Sequence, residues 1–586
     1  MGAQVPQDLI SLARSRFENL TSAETLAIRA AAVGEVAACG PISEYTDSVD
    51  PFKLNTDWSK RVIRADIVRW LCLEGGTTEL VPRSGIQIFA AMIVGELDMQ
   101  YSLTPFPLTL QSCFITDTIS FKNARLSSLI LSGSHVSRIL ADGLEAKNNV
   151  LLNKGFESTS ELVFRDAKVG GGFNTTGGIF RNPEGMALGC DRMRVEGSAF
   201  ISRAEIGMQS QFYGEVRFAG AQIGSNLECD GGSFENLTGP AITADRLTTN
   251  GGVTLRNGFT AKGEVRFQNA SIGTAFDCSH GTFFNPDGKA LNAEGARVGG
   301  SAFFAGQFMC TGSLHLWGFA VDGGVQCQAG KFTKMDLRRA SIKGPLRWID
   351  ITNPGETDLD LRDATVGSIE DTEESWPRSG HLHIEGLRYE QFVNRPNDVE
   401  MRLKWLRLDT SDSSRPYQQL ATLYSELGEP AIARRVRYEM EERRYRGRSQ
   451  FLGFLLKLTI GYGYRLGRAG WCLAVIWILG FILSWSGYAH GLIVPTDNDA
   501  YKYFVVHGEA PPQYQRFSSA IYSVEHSIPA LSLGVSSAWS ANIPADNVRP
   551  RIDRGLRWWF WLQTALGWVL SIFFVAGLTG LVKSDA

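Results

Sequence analysis

Thiol, carboxylate and imidazole groups are the side chains of this sequence that could do chemistry, and their spacing sorts them into three sets. Cys229, Cys278 and Cys327 stand at equal intervals. Such a series could ligate a metal or carry redox chemistry. The nine cysteines contain no CxxC pair and no His-spaced cluster, however, and lack the spacings that zinc, haem or iron–sulfur ligation uses. A column of unpaired cysteines instead reads as an interior ladder of small apolar side chains. Asp358, Asp360 and Asp363 form the second set. Clustered carboxylates can cleave sugars, but here they alternate with Leu359 and Leu361, which puts them on a solvated strand face. Nearby, Asp371-Thr-Glu-Glu374 reads as a solvated turn, acidic enough to attract a basic partner or the chain's own arginine segment. The third set is Glu525 and His526, followed by Ser532, Gly534 and Ser536, in an otherwise apolar region. Lining a pore, these residues would set cation preference or pH sensitivity. Val169-Gly-Gly-Gly172 and Val298-Gly-Gly300 do not complete a dinucleotide-binding loop and open no helix. No catalytic residue, metal ligand or cofactor is assigned.

The elements that must position these groups are written in repeats. Gly214-Glu-Val-Arg-Phe218 becomes Gly263-Glu-Val-Arg-Phe267 and then, after the same interval, Gly312-Ser-Leu-His-Leu316. Ile223, Ile272 and Val321 share a column, as do Phe234, Phe283 and Phe332. Within a unit, Ala270-Ser-Ile-Gly273 recurs as Ala296-Arg-Val-Gly299, slightly past the midpoint, which divides the period into a longer and a shorter coil. A fixed period of this length marks a solenoid whose units bury their apolar faces on one another. The expected fold is mainly β, a right-handed parallel β-helix of roughly twelve coils over residues 84–392. Residues 1–83 read as a helical N-terminal cap, with a capping box at Thr21-Ser-Ala-Glu24 and an apolar helix face of Val62, Ile63, Ile67, Trp70 and Leu71. Residues 393–450 read as a helical hairpin and basic linker.

Residues 451–586 carry the membrane signals. The segment 469–488 is free of charge and long enough to cross a bilayer, and 556–582 is expected to cross again, with tryptophans near the ends of both. Phe451 to Ile460 is too short to span and reads as an interfacial helix. Residues 434–468 carry nine Arg and one Lys against three Glu, whereas the connection 489–554 carries five basic and six acidic groups. Positive charge retained inside makes this a multi-pass plasma (inner) membrane protein, with the solenoid and both termini cytoplasmic and the connection outside. The N-terminus shows no basic region followed by an apolar core, so no signal peptide is read there. Arg434, Arg435, Arg437, Arg443, Arg444, Arg446 and Arg448 suit topogenic charge and anionic headgroups alike. A net charge of −3 argues against a chain-wide nucleic-acid surface.

Several phrases resemble known families. Asp358-Leu-Asp-Leu-Arg-Asp-Ala364 is similar to pentapeptide-repeat proteins, and Pro416-Tyr-Gln-Gln-Leu-Ala to Gly428 looks like one tetratricopeptide hairpin. Thr459-Ile-Gly-Tyr-Gly463 copies the potassium-channel filter phrase but precedes the first crossing, where a filter has no pore helix before it. Between the crossings, Phe517 to Ala530 followed by Leu531 to Ser537 resembles the pore helix and turn of two-crossing ion channels, and Ala565 to Ala576 their inner helix. The whole arrangement of cap, solenoid, Pro-Tyr-Gln-Gln-Leu-Ala hairpin, arginine segment and two crossings resembles a bacterial family labelled membrane-associated oxidoreductase. That label implies redox chemistry; the residues point to a non-enzymatic, membrane-anchored scaffold or sensor, oligomeric, with a protein partner on the solenoid or hairpin. A two-crossing channel gated by the solenoid is the alternative.

Overall fold

Gly214, Gly263 and Gly312 all have φ between +113° and +118°, a backbone region that side chains strongly disfavour. A Cβ at these positions would lie 2.1, 2.5 and 2.1 Å from the carbonyl oxygens of Asn182, Asn236 and Asn285. Those asparagines form a second column. Each donates its Nδ2 hydrogen to a carbonyl a few residues on, at Met186, Pro240 and Lys289, and so closes a projecting Asn-x-x-Gly loop. The repeated glycine is the one residue that lets the next coil pass beneath that loop.

The computed structural model describes residues 8–40, 57–203, 208–393, 398–448, 467–528, 530–541 and 552–578. Its chain divides into two units, 1–419 and 420–586, which are described separately. The first is a parallel β-solenoid of about 13 turns with helices at its ends. One column of paired residues runs Gln222, Thr248, Ser271, Arg297 and Ala320, so that longer and shorter coils alternate, as the two-coil period implies. Corner glycines keep the coils in register. A Cβ on Gly224, Gly273 or Gly299 would come within 2.1, 2.1 or 2.3 Å of a carbonyl of the preceding coil.

Inside, Phe180, Phe212, Phe234, Phe259, Phe283, Phe308, Phe332 and Trp348 form one stack with ring centroids 4.5–5.5 Å apart. The spacing follows from the ~4.8 Å rise between paired strands. The column of Phe234, Phe283 and Phe332 legible in the repeat is every second ring; the intervening coil supplies Phe259 and Phe308. Outside, opposite charges pair between coils, as in Arg192 with Asp166 at 2.7 Å and Arg256 with Asp230 at 2.8 Å. Asp360 departs from the solvated-face reading, because it is buried and bonded to Arg362.

The N-terminal cap is mixed. Thr21 and Glu24 form the expected capping box on the helix Ser22–Val33, but Val36–Ala38 and Val62–Arg64 are strands that pair with the first solenoid rungs. Val62 and Ile63 therefore belong to a strand, and only Ala65–Leu73 continues as helix. At the other end the helix Val399–Leu408 covers the last coil. Its Arg402 is fully buried, 2.8 Å from Asp371, which also accepts from the Trp376 indole at 2.8 Å. The guanidinium lies 3.7 Å over the Phe392 ring. Asp371 is thus an internal anchor for the cap and not part of a solvated turn.

In the second unit, long helices run Gly467–Ala489 and Ile552–Leu578, joined through a strand pair, Ile493–Pro495 with Trp539–Ala541, and the helices Asn498–His507 and Ser519–Ser527. Before them, the helices Arg415–Glu426 and Pro430–Arg448 occupy the span expected to form a hairpin. The expected interfacial helix 451–460 and the Thr459–Gly463 phrase lie outside the described residues.

A polar seam between apolar helices as the candidate functional site

The helix Gly467–Ala489 has its apolar side chains on the outside. Trp471 is 76% exposed, and Ile478, Ile482 and Trp485 face outward with it, while Gly480, Ser484 and Gly487 are buried. In the Ile552–Leu578 helix, Trp558, Trp561, Leu562, Trp568 and Val569 are exposed, yet Gln563 is 0% exposed. A water-soluble fold would reverse this pattern. In hydrocarbon, small and polar residues are the ones that gain from packing on a neighbouring helix.

Among the described residues, one segment, Gly470–Ala489, is long and apolar enough to cross a membrane, and only 17% of its most apolar window is buried. That low burial is compatible with membrane association.

Between the two long helices sits Ser519–Ser527. Trp477 donates its indole hydrogen to the Ala520 carbonyl at 3.2 Å, and Ser484 donates to the Ser519 carbonyl at 3.2 Å. Ser523 returns a hydroxyl bond to the Trp477 carbonyl at 2.7 Å. From the other side, the Gln563 amide donates to the Ser523 carbonyl and to the Ser523 and Ser527 hydroxyls at 2.8–3.1 Å, and accepts from Trp559. Gly480 and Gly567 permit this approach: a Cβ on either would lie 2.4 Å from atoms of this seam, the Gln563 and Ser523 side chains or the Ser527 carbonyl.

Each residue expected to serve a pore has a definite place. Glu525 is buried and its carboxylate accepts the backbone N–H groups of Leu533 and Ser536, holding the turn that Gly534 makes at φ +89°. His526 Nδ1 is 2.9 Å from the Thr564 hydroxyl, its ring stacks on Phe560 with centroids 5.1 Å apart, and Nε2 has no hydrogen-bond partner among the described residues. Ser532 and Ser536 are exposed and Gly534 is half-buried, beside exposed Leu531 and Leu533. Behind the turn, Ile493, Tyr522, Val535, Trp539, Leu556 and Phe560 form a small core. Trp539 donates its indole hydrogen to the Gln515 carbonyl at 2.8 Å, and Gln515 donates to the Leu533 carbonyl at 3.1 Å.

Sequence reasoning does not single out Gln563, Ser484, Ser523 or Thr564. The available signal is polar groups inside charge-free apolar runs, where each must find a partner.

The arginine set lies on Pro430–Arg448. Arg434 is exposed and donates to the Pro430 carbonyl, Arg444 is exposed and 3.7 Å from Glu441, and Arg435, Arg437 and Arg443 are half-buried. The Arg446 and Arg448 side chains lie outside the described residues.

The cysteine column is interior: Cys229, Cys278 and Cys327 are buried and unpaired. Burial holds all three thiols protonated, far above the ordinary thiol range, and pushes Cys310 up to about 12. A buried thiol held protonated is a poor nucleophile. Among the described residues no group of three or more His, Cys, Asp or Glu side chains could hold a metal ion. Comparison with family models, curated proteins and solved structures finds no match to this chain.

Proposed function

We propose that the chain is a membrane-anchored β-solenoid whose second unit forms an ion-conducting pore when several copies assemble. The observation that carries this reading is the seat of Ser519–Ser527. Its bonds reach Trp477 and Ser484, within the Gly470–Ala489 segment, rather than the residues at its ends. A short helix at that depth, followed by a turn whose N–H groups are held from behind by Glu525, supports a re-entrant pore loop. Backbone and serine oxygens of such a loop replace an ion's hydration shell. Ser532, Gly534 and Ser536 then line the narrowest part.

In this reading Ile552–Leu578 is the second crossing, a right-handed solenoid and both termini are cytoplasmic, and Arg434 to Arg448 contact anionic headgroups. The bilayer and further copies of the chain are the partners. Solenoid displacement gates the pore. The redox activity implied by the family resemblance has no support from the cysteines, whose thiols are buried.

A plain anchor for a scaffold or sensor draws on a different observation, the exposed Leu531 and Leu533 beside Ser532, a surface suited to the lipid interface. Reconstitution in planar bilayers separates the two readings. The pore reading expects single-channel currents that Glu525→Ala abolishes, and a multimer by mass photometry in nanodiscs. Electrically silent monomers would overturn it and leave the anchor.

A further inference from the structure

We propose that a groove on the N-terminal half of the solenoid docks an extended acidic peptide segment of a partner protein. The groove has a volume of about 540 Å³. It crosses successive rungs, whose outward residues Leu103, Arg125, Glu145, Lys168 and Arg194 stand in direct register. Because paired strands stack ~4.8 Å apart, these side chains form a straight line.

Charge along that line is unbalanced. Glu145 is shared by Arg125 at 2.9 Å and Lys168 at 2.8 Å. Arg194 follows directly beside Lys168, a like-charge neighbour that is unfavourable in an empty sheet. No carboxylate among the described residues pairs with Arg194, nor with Lys147, which is exposed in the adjoining column. Glu196 is the only other acidic group lining the groove. Four cations therefore face two carboxylates. Other outer cations pair across coils, as Arg192 does with Asp166 and Arg256 with Asp230.

The shape suits a chain more than a globular surface. Gly170 leaves bare backbone on the groove floor, and a Cβ there would meet the Lys147 carbonyl at 2.2 Å. Leu103, which lines the groove, is an exposed apolar side chain, as is Tyr101 two residues before it. A strand-like peptide with acidic residues toward Lys147, Lys168 and Arg194 and an apolar residue on Leu103 matches both features. Charge complementarity gives it specificity over neutral or basic segments.

The test is fluorescence anisotropy on the full chain in zwitterionic nanodiscs, with a fluorescein-labelled decapeptide of alternating Glu and Leu as probe. Lys147→Glu combined with Arg194→Glu is expected to weaken binding by about tenfold or more, while Lys331→Glu, an exposed cation on the other sheet, leaves it within about twofold. Hydrogen exchange over the solenoid checks that the fold is kept. Equal binding by both variants, no binding by the native chain, or displacement of the peptide by polyglucuronate at lower concentration would overturn the proposal.

Discussion

The solenoid and the second unit bury opposite kinds of side chain with one alphabet of residues. In the solenoid, the Phe180 to Phe332 stack and Cys229, Cys278 and Cys327 are buried and charged ladders face outward. In the second unit, Gln563, Ser484 and Ser523 are fully buried, whereas Trp471, Ile482 and Val569 face outward. Apolar burial drives the first because water excludes hydrocarbon. That force is absent between helices in lipid, where hydrogen bonds and close packing of small residues take over. The same kind of substitution should therefore have unequal cost in the two regions.

The largest effect is expected where the solenoid holds a buried charge. Arg402→Met leaves Asp371 buried without its cation and should cost roughly 3–5 kcal/mol, read as lost amide protection from Thr365 to Phe392. Phe283→Ala removes one ring from the stack and should cost about 3–5 kcal/mol in thermal or denaturant unfolding. The matching truncation on the outer face of the second unit, Leu566→Ala, should change stability by less than about 0.5 kcal/mol. Equal losses for Phe283→Ala and Leu566→Ala would break the comparison.

Polar truncation should run the other way. Gln563→Leu deletes the bonds to Ser523 and Ser527 and should loosen the seat of Ser519–Ser527 by about 1–2 kcal/mol, seen as faster exchange of that helix in nanodiscs. Removing an exposed solenoid ion pair with Lys262→Met should cost less than about 1 kcal/mol.

The smallest effect is chemical. Cys39 is half-buried in the cap and its thiol is pushed up to about 11 by burial, against a weaker opposing pull from Arg61. A raised thiol pKa means a small thiolate fraction at neutral pH that grows with alkalinity. Maleimide labelling of Cys39 should rise about tenfold per pH unit between about pH 7 and 9, whereas Cys229, Cys278 and Cys327 stay unlabelled in the folded chain.

Legibility follows the same division. The repeat of Gly214, Gly263 and Gly312 is readable because a covalent chain that stacks on itself must meet the same steric demand at each coil. The asparagines those glycines pack against are equally present in the sequence. The step from Asn182 to Asn236 is longer than the step from Asn236 to Asn285, however, so the column is hidden unless the loops are known to align. Val62 and Ile63 fit a helix face by spacing and are drawn into a strand because the strand Met92–Val94 offers a partner for their backbone. Asp371 reads as part of a solvated turn because its partner Arg402 is 31 residues away, across the boundary between coil and cap.

By itself the sequence determined the solenoid, its two-coil period, the interior cysteine column and the charge-free stretch from Ala469 to Tyr488, since each is a local pattern repeated or sustained along the chain. Tertiary structure alone decided that Glu525 holds a backbone turn and that Gln563 reaches across to Ser523. These depend on groups well separated along the chain meeting at one point. No periodicity encodes such meetings; they exist only once the coils and helices have stacked.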